Sequence, residues 1–523
     1  MSSTALWSWV FLFGYVCLMV WLGTVGMRRI HSGDDFAVAR STYSPLFLAF
    51  AMAGTTASGA TFVGIPGLAY SYGVSTMWYA VLYPIAIYGG MFLVMHAVTR
   101  AGHMFGNRSI PEFLGDRYQS EGLRLLVAVF SLMLLFYVTG QLVAGVVMFE
   151  RLMGLSEIPA LLITGTVLII YLSLGGAHAD ILTDAVQGCL MLMLAVFAIW
   201  LFATGFGISG GFDGMMSRLE ALDADLVSAQ NPGAAITFGW WALLCLIVAH
   251  LPFGMLPHIG NKLWALRNQR ARYHFITISA IFGITLPMIT LVGILARAHL
   301  GDDLLGGGAN QAIPALFLEV FPPIVAAFLN IGILAAVMST ADGLVISASQ
   351  VFANDIYRRS LAPRIHSDKP DSYIDEVTLR ISRIATVLIL VSSITLAYFF
   401  MDKNIALLIW IGAGGMVGAF AGPIMVGLFW RRTTAAGAIA GFAIGAIVFV
   451  VLKANLLPEI DSGALSGPVT WLRSQSGNPF ACATIAECWS VAMTVIVSLL
   501  TRPLPADHLA RVFGETDDAV AAS

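Results

Sequence analysis

Long uninterrupted blocks of apolar residues recur along the whole chain, and they constrain the fold more than any other feature. Because a helix rises about 1.5 Å per residue, roughly 20 apolar residues are needed to cross about 30 Å of hydrocarbon. Many blocks reach that length, the first running from Leu6 to Met27. The 523 residues are 58% hydrophobic and only 11% charged, whereas soluble domains carry about 25% charged residues. The sequence therefore predicts an all-α integral membrane protein.

Thirteen membrane spans are predicted and are numbered 0 to 12 from the N-terminus. Their approximate ranges are 6–27, 45–71, 77–99, 123–149, 158–174, 183–206, 236–257, 275–296, 324–350, 382–400, 404–430, 434–453 and 483–501. No Lys or Arg precedes span 0 and no small-residue cleavage site follows it, so we interpret it as a retained helix. The chain then divides into an N-terminal span with its loop (1–44), a core (45–432), and two C-terminal spans with a short tail (433–523).

Basic residues are distributed unevenly between the two sets of alternating loops. Twenty-one of the 27 Lys and Arg residues fall in loops that follow even-numbered spans, among them Lys262 after span 6. Cytoplasmic loops carry the excess of Lys and Arg in membrane proteins. The sequence therefore predicts a multi-pass protein of the plasma membrane, the inner membrane in a bacterium, with its N-terminus outside and its C-terminus in the cytoplasm.

The motifs that the sequence lacks argue against several classes of function. It has no basic domain for nucleic acid, no G-x-x-x-x-G-K-[ST] phosphate loop, and no H-E-x-x-H or G-x-S-x-G cluster. The longest connecting loops, 207–235, 351–381 and 454–482, are too short to form a catalytic domain. We therefore predict that the protein is not an enzyme, binds no nucleic acid and has no ATPase subunit. Its expected partners are the lipid bilayer and a small-molecule solute, with an ion gradient as energy source.

Span 1 is interrupted by small and polar residues where a lipid-facing helix would carry Leu and Val. These residues are Gly54, Thr55, Thr56, Ser58, Gly59 and Pro66. Gly loosens a helix and Pro removes a backbone hydrogen bond, and freed carbonyls are tolerated at membrane depth only beside protein, a cavity or an ion. The alternative is close helix packing through small residues. The mixture of Gly, Pro and hydroxyl residues favours a broken helix.

Span 6 carries a second interruption, which runs from His250 to His258 and contains Pro252, Gly254 and Pro257. Two broken spans that lie five apart are typical of inverted-repeat transporters. Spans 1–5 (45–206) and spans 6–10 (236–432) are therefore predicted to form two inverted repeats. This prediction depends on the two breaks alone.

Span 8 places oxygen atoms on one helical face at the same depth as the break in span 1. Ala336, Ser339 and Thr340 have the i, i+3, i+4 spacing that puts residues on one face. A hard cation such as Na⁺ prefers oxygen ligands, which hydroxyls and the carbonyls of a broken helix supply. The alternative is that both hydroxyls bond to the preceding turn of their own helix.

Motifs along the chain resemble those of the sodium:solute symporter family, in the order in which that family has them. The run Ala336-Val-Met-Ser339-Thr340-Ala-Asp342, with Asn354-Asp355-Ile-Tyr357 after it, is similar to the family's span 8 signature. Further resemblances are Gly64 to Gly73 at the end of span 1, Gly175-Gly176 with Thr183, Asp184 and Gln187 near span 5, and Gly422 to Ala438 at the span 10–11 junction.

The resemblance implies a LeuT-like 5+5 inverted repeat with one extra N-terminal helix, and Na⁺ as the coupling ion. It also implies a Na⁺ site made of the carbonyls of Gly54, Ala57 and Ala336 and the hydroxyls of Ser339 and Thr340. The chain departs from two branches of the family. Thr56 stands where the proline carriers have an aspartate, and Asp342 and Gly343 stand where the sialic acid carriers have hydroxyl residues for a second sodium ion.

Two carboxylates are predicted to lie within membrane spans. Asp184 begins span 5 and Asp342 lies past the centre of span 8. A carboxylate inside a span costs about 2.5–3.5 kcal/mol on insertion scales, so it usually has a function or a partner. Our hypothesis is that both border a path for a second cation, Na⁺ or a proton, toward the cytoplasm. The alternatives are a helix N-cap made by Asp184 with Thr183, and a structural hydrogen bond for Asp342.

The solute site is predicted beside the breaks. Tyr137 and Gln141 lie one turn apart in span 3 and could donate hydrogen bonds to a carboxylate, although Gln141 could instead only bridge helices. The other residues predicted to line the pocket are Phe253, Thr56, Ser58 and Thr61. We identified no Arg or Lys in the central part of a core span, so an anionic solute would be held by dipoles, hydroxyls and the sodium ion.

These observations indicate a Na⁺-coupled secondary symporter that imports a small organic solute, a carboxylate in our interpretation, by alternating access. Three alternatives stay open on the sequence. The first is a H⁺-coupled symporter of the same fold. The second is a sensor, although the chain ends soon after span 12, where an output domain would be needed. The third is a channel, which also uses broken helices.

Overall fold

The computed structural model describes residues 2–30, 38–266, 269–460 and 462–514, and all regular elements in these ranges are helical. For residues 170–176 and Asn261 it describes the backbone only. We number the α-helices in chain order. Those of the first half are α1 (Ser3–Met27), α2 (Pro45–Thr56), α3 (Ile65–Tyr72), α4 (Met77–Phe105), α5 (Ile110–Tyr118), α6 (Glu121–Phe130), α7 (Leu134–Met153), α8 (Glu157–Thr204) and α9 (Gly211–Leu222).

The second half continues this series and includes the short helical segments that interrupt it. Its α-helices are α10 (Gly239–His250), α11 (Pro257–Gly260), α12 (Gln269–Thr285), α13 (Thr290–Leu300), α14 (Ala312–Val320), α15 (Pro323–Gln350), α16 (Ala362–Ile365), α17 (Asp371–Phe400), α18 (Ile405–Ala421), α19 (Gly427–Phe429), α20 (Ala435–Lys453), α21 (Ser466–Ser474), α22 (Pro479–Leu500) and α23 (Ala506–Phe513). Within the described ranges of both halves, π-helical turns occupy Ala60–Gly64, Val351–Leu361 and Gly422–Val426. The 3₁₀ turns are Gly73–Thr76, Ser131–Met133, Ala224–Val227, Phe253–Met255, Asn261–Ala265, Leu286–Ile289, Ala309–Gln311 and Gln475–Gly477.

The helices account for the predicted spans, although not for their exact number. Within the described ranges, ten helices are long and apolar enough to cross a membrane, or eleven if the bent pair around span 6 counts as one. Two shorter apolar helices, Pro45–Thr56 and Glu157–Ile169, lie where spans 1 and 4 were predicted. Each predicted span overlaps one of these segments. Thirteen complete crossings therefore stay a prediction.

The predicted gap between spans 4 and 5 is helical in the structure, which corrects the sequence analysis. Helix α8 runs through Glu157–Thr204 as one element of 48 residues and includes Gly175 and Gly176, whose surroundings lie outside the described residues. A Gly costs a helix only about 1 kcal/mol relative to Ala, so a Gly pair without Pro need not end it. The loops predicted at 207–235 and 454–482 likewise contain short helices, α9 and α21.

Both predicted interruptions are confirmed. Helix α2 starts with Pro45 in its first turn and with Ser44 as its cap, and it ends at Thr56. The chain resumes as a π-helical turn at Ala60. In span 6, α10 gives way to the 3₁₀ turn Phe253–Met255 and then to α11, with a bend of 54°. Pro252 and Pro257 each remove a backbone donor there, so the helix cannot continue unbroken.

Burial separates the central helices from the peripheral ones. In the α18–α19 segment, 89% of the apolar 18-residue stretch that could cross a membrane is buried. The corresponding share is 33% in α1 and in α17. Helix α2 packs against α8 and α12, and α15 packs against α1, α7 and α8. The two broken segments and α15 therefore meet in the interior, and α1 and α17 present much of their surface outward.

Helix α23 lies in the C-terminal tail and contacts the core. Helix α23 is anchored by His508, whose Nε2 lies 3.0 Å from the Arg117 carbonyl oxygen, and by Arg100, which donates to the Val512 carbonyl at 2.9 Å. Burial lowers the pKa of His508. Residues 515–523 of the predicted tail lie outside the described residues.

Candidate functional site

Side chains form hydrogen bonds with the backbone N–H groups that the break in span 1 leaves without helical partners. Ala57 has φ −92° and ψ 87°, which is not helical, and it follows directly on α2. Ser58 Oγ accepts from the Ala60 N–H at 3.1 Å, and Gln141 Oε1 from α7 accepts from the Gly59 N–H at 2.9 Å. These bonds cap the start of the second half-helix, as helix N-termini require.

Two hydroxyl groups of α15 meet carbonyl oxygens at the end of α2. Ser339 Oγ donates to the Gly54 carbonyl at 2.5 Å, and Thr340 Oγ1 lies 3.3 Å from the Gly54 carbonyl oxygen and 3.2 Å from that of Thr55. All four residues are fully or almost fully buried. Within the described residues, neither hydroxyl hydrogen-bonds to its own helix, so the helical back-bonding alternative does not describe them.

The remaining two predicted Na⁺ ligands lie next to this cluster. Ala57 forms the break three residues after Gly54, and Ala336 lies one turn before Ser339 and Thr340 on the same face of α15. Both are buried. The five residues thus supply uncharged oxygen donors at a helix break, a set whose chemistry suits a hard monovalent cation.

Gly54 is needed for the close approach of three helices at this point. A Cβ on Gly54 would lie 2.9 Å from the Asp184 carbonyl oxygen of α8 and 3.3 Å from Ser339 Oγ. Any larger residue would therefore push α15 or α8 away from α2. Gly54 thus allows close helix packing, and its carbonyl also accepts a hydrogen bond from Ser339. Both alternatives given for span 1, small-residue packing and a broken helix, are present.

The hydroxyls predicted to face the solute are paired with tyrosines around the break. Thr56 Oγ1 lies 3.0 Å from Tyr88 OH, and Thr61 Oγ1 lies 3.3 Å from Tyr83 OH. Tyr137 lies beside Ser58, whose Oγ accepts from the Ala60 N–H. The structure therefore brings Thr56, Ser58, Thr61 and Tyr137 together, but each hydroxyl has a protein partner.

Gln141 has one half of its amide engaged and the other half available. Its Oε1 caps Gly59, as described above, whereas its buried Nε2 has no hydrogen-bond partner among the described residues. The same Gln141 side chain can therefore bridge two helices through its oxygen and bind a solute through its nitrogen, so the two alternatives do not exclude each other. An unpaired buried amide nitrogen costs roughly 1–3 kcal/mol, which a ligand acceptor would recover.

Aromatic rings form the wall opposite the break in span 1. Phe253, in the 3₁₀ turn of span 6, lies 6.5 Å from the Tyr137 ring and 5.5 Å from the Trp410 ring, centroid to centroid. His250 lies 4.6 Å from Trp410 in the same way. The predicted position of Phe253 beside Tyr137 is therefore found, within an enclosed aromatic group.

Asp184 lies in a buried ion cluster that the sequence analysis did not anticipate. Lys262 Nζ lies 2.5 Å from Asp184 Oδ2 and 2.9 Å from Asp180 Oδ2, and it also donates to Thr55 Oγ1. Lys262 is only 6% exposed. Its assignment to a cytoplasmic loop was wrong, because the short turn after α11 directs the side chain into the core. Asp184 is also far inside α8, so the N-cap alternative is wrong as well.

Asp342 is buried in α15 near the same cluster. Its exposure is 1%, and it interacts electrostatically with the Tyr15 hydroxyl, as Asp184 does. Tyr15 belongs to α1 and accepts a hydrogen bond from Gln187 of α8. Asp342 and Asp184 therefore both lie near Tyr15, where α1, α8 and α15 pack together, and Asp184 already has a protein cation.

One signal in the sequence could have revealed part of this cluster. Asp180 and Asp184 are spaced i, i+4, which places two carboxylates on one helical face. Two such charges in an apolar helix require a cation. The burial of Lys262, five residues after Pro257, could not be predicted from the sequence, because it depends on how the turn folds.

Comparisons with known proteins find similarity to sodium-coupled symporters. Residues 36–445 match the model of the sodium:solute symporter family. A sodium/pantothenate symporter of Haemophilus influenzae is 28% identical over 438 residues, covering 80% of this chain and 84% of that protein. A sodium/proline symporter of Escherichia coli is 26% identical over 452 residues, covering 84% and 86%.

A solved structure extends the comparison to the fold. The substrate-bound outward-open state of a Na⁺-coupled sialic acid symporter superposes with a TM-score of 0.74 at 19% identity, covering 95% of this chain and 98% of that one. At this identity the likeness shows the fold and not the solute.

Proposed function

The chain belongs to the sodium:solute symporter family, and from that premise we propose which solute it carries, in which direction, and through which residues. Members of this family are membrane transporters and not enzymes, and Na⁺ is the coupling ion. The protein is thus a multi-pass plasma-membrane symporter whose partners are the bilayer and a small-molecule solute.

Our proposal is that the protein imports a small organic carboxylate together with Na⁺ by alternating access. The observation that carries the solute class is Gln141 Nε2, a buried donor with no partner in the described residues, beside the break in span 1. A carboxylate oxygen, which accepts hydrogen bonds without donating them, is an acceptor that such a donor can bind. The two relatives above are named for pantothenate and proline, and both of these solutes carry a carboxylate group.

We propose that Na⁺ binds between α2 and α15. Its ligands in this proposal are the carbonyls of Gly54, Ala57 and Ala336 and the hydroxyls of Ser339 and Thr340. The support is the contact of both hydroxyls with the Gly54 carbonyl. Because these ligands are uncharged, the ion keeps its full positive charge and can attract an anionic solute nearby.

The solute would lie between the break and the aromatic wall. Tyr137 and Gln141 would orient its carboxylate, Phe253 would cover its apolar part, and the hydroxyls of Thr56, Ser58 and Thr61 would exchange their tyrosine partners for the solute. Binding of this kind uses a few polar groups in a largely apolar site. The proline branch differs at position 56, so a solute other than proline is favoured.

The finer architecture belongs to the same proposal. We propose thirteen crossings, with 45–206 and 236–432 as inverted repeats, the N-terminus outside and the C-terminus in the cytoplasm. The two helix breaks in corresponding spans support the repeats, and the excess of basic residues in alternate loops supports the orientation.

Uptake into proteoliposomes tests the function directly. Purified protein would be reconstituted and supplied with an inward Na⁺ gradient, an inward H⁺ gradient or neither, with labelled pantothenate, proline and short monocarboxylates as candidate solutes. We expect concentrative, saturable uptake of one carboxylate that needs the Na⁺ gradient. Uptake driven by the H⁺ gradient alone, or flux that never exceeds equilibrium, would contradict the proposal.

A further inference from the structure

The ammonium group of Lys262 occupies a site built for a cation. It has three N–H donors and three buried acceptors: Asp180 Oδ2 at 2.9 Å, Asp184 Oδ2 at 2.5 Å, and Thr55 Oγ1. A buried ammonium is stable only when its charge is paired and its donors are satisfied. Since all three donors are used, Lys262 is fully coordinated in the way that a bound metal cation would be.

This site adjoins the proposed Na⁺ site through one residue. The side chain of Thr55 accepts from Lys262 and lies 2.8 Å from Asp184 Oδ2, and its carbonyl oxygen lies 3.2 Å from Thr340 Oγ1. A single turn of α2 thus has a tethered ammonium on one side and the carbonyl and hydroxyl oxygens on the other. Thr55 therefore links the two sites directly.

The ion cluster is also reachable from one side. Asp180, Lys262 and His258 line a small cavity together with Gly343, Ser347 and Gln350 of α15. The cavity lies toward the ends of α11 and α15 that precede basic segments, the side proposed to be cytoplasmic. A small ion could therefore enter the cluster if the ammonium were removed.

We propose that Lys262 is a built-in substitute for a second coupling ion, so that this transporter binds one Na⁺ in each cycle. The proposal rests on the proposed function, because it takes the oxygens of Ser339 and Thr340 as the one exchangeable Na⁺ site. It changes the earlier hypothesis for Asp184. The carboxylate does border a second cation site, but the cation there belongs to the protein and is not transported.

The charge of the cluster makes the consequence of removing Lys262 specific. One ammonium faces the two carboxylates of Asp180 and Asp184. Replacing it with a neutral side chain leaves two buried carboxylates and a hydroxyl, which are hard oxygen ligands suited to Na⁺. Lys262→Gln should therefore create a second Na⁺ site, and Lys262→Arg should not.

The experiment counts Na⁺ ions per chain by equilibrium dialysis of the purified full-length protein against radioactive Na⁺, with K⁺ holding ionic strength constant. Wild type and Lys262→Arg should each bind one ion, and Lys262→Gln should bind two. Adding Asp184→Asn to Lys262→Gln should return the number to one. Size-exclusion chromatography of each variant reports whether it is folded.

Ser339→Ala/Thr340→Ala separates the two proposals. At a Na⁺ concentration that just saturates the wild type, the tenfold or greater weakening should leave well under one ion per chain in the wild-type background, and in Lys262→Gln it should leave one ion. If wild-type protein binds Na⁺ but this double variant binds it equally, the proposed Na⁺ site is wrong whatever Lys262 does. Two ions bound to wild-type protein, or one ion bound to folded Lys262→Gln, would overturn the role of Lys262. The wild-type count applies even if Lys262→Gln does not fold.

Discussion

Ser339 Oγ donates a hydrogen bond of 2.5 Å to the Gly54 carbonyl, and so joins α15 to the last turn of α2. The contact pairs a hydroxyl with a carbonyl that would each be a ligand in the proposed Na⁺ site. When Na⁺ binds, both oxygens would turn toward the ion, and the direct bond would be exchanged for two ion contacts. In the proposed site, ion binding would thereby be coupled to the relative position of two helices from different halves of the core.

The first prediction concerns this pair of hydroxyls. Ser339→Ala/Thr340→Ala should weaken Na⁺ binding by tenfold or more, because losing a ligand of this type costs roughly 1–3 kcal/mol and about 1.4 kcal/mol is tenfold. The measurement is a NaCl titration of intrinsic fluorescence from the 12 tryptophans, with KCl as balance. Ser393→Ala removes a buried hydroxyl from α17 and serves as the control. A similar loss in both variants would argue against a site at Ser339.

The second prediction uses the close packing around Gly54. Gly54→Ala should lower Na⁺ affinity roughly 5- to 150-fold, because overpacking a tight core costs about 1–3 kcal/mol and about 1.4 kcal/mol is tenfold. The new Cβ would meet the Asp184 carbonyl oxygen at 2.9 Å and Ser339 Oγ at 3.3 Å. The matched control is Gly89→Ala in α4, where a Cβ would have open space. The same titration applies, and equal affinities for the two variants would show that the contact does not constrain the site.

Local sequence pattern predicted the features that depend on local chemistry. The break after Thr56 and the break around Pro252 and Pro257 follow from Gly and Pro residues, which limit helical hydrogen bonding wherever they occur. The shared face of Ser339 and Thr340 follows from helical spacing. Their meeting with Gly54 was expected from similar depth in the membrane and from the family resemblance.

Long-range packing decided the features that sequence reasoning missed. Lys262 closely follows Pro257, which predicts the end of span 6. A basic side chain at the end of a span ordinarily lies in a cytoplasmic loop. Only the bend after α10 turns Lys262 toward Asp180 and Asp184, which are about 80 residues earlier in the chain. The tyrosine partners of Thr56 and Thr61 likewise come from α4, and no local pattern identifies them.

The third prediction tests Asp342. Asp342→Asn removes one charge from the buried region near Tyr15 and Asp184 with little change of shape. We expect the Na⁺ concentration for half-maximal uptake to change severalfold, and the pH dependence of uptake to change with it. Uptake would be measured over a range of Na⁺ concentrations from about pH 6 to pH 8. The control is Asp368→Asn, an exposed carboxylate. If both variants behave as wild type, Asp342 has only a structural role.

The fourth prediction tests the orientation in the membrane. In a variant with its exposed cysteines Cys17, Cys189 and Cys488 replaced by serine, a single new cysteine is placed at one of two exposed positions. Ser367→Cys should be labelled only after the membrane is permeabilised, and Ser462→Cys should be labelled on intact cells by an impermeant maleimide. The reverse pattern would invert the topology inferred from the basic loops.

The fifth prediction separates the two roles of Gln141. Gln141→Glu keeps an oxygen for the Gly59 N–H but replaces the Nε2 donor, whereas Gln141→Leu removes both groups. Both variants should raise the half-saturation concentration for the carboxylate solute about tenfold or more, because each leaves the solute without its donor. Gln141→Leu should also lower the melting temperature because it leaves the Gly59 N–H unpaired, whereas any loss in Gln141→Glu comes from burying a carboxylate and should shrink at low pH. Uptake kinetics and thermal unfolding measure the two effects. An unchanged half-saturation concentration in Gln141→Glu would assign Gln141 to helix capping alone and remove it from the solute site.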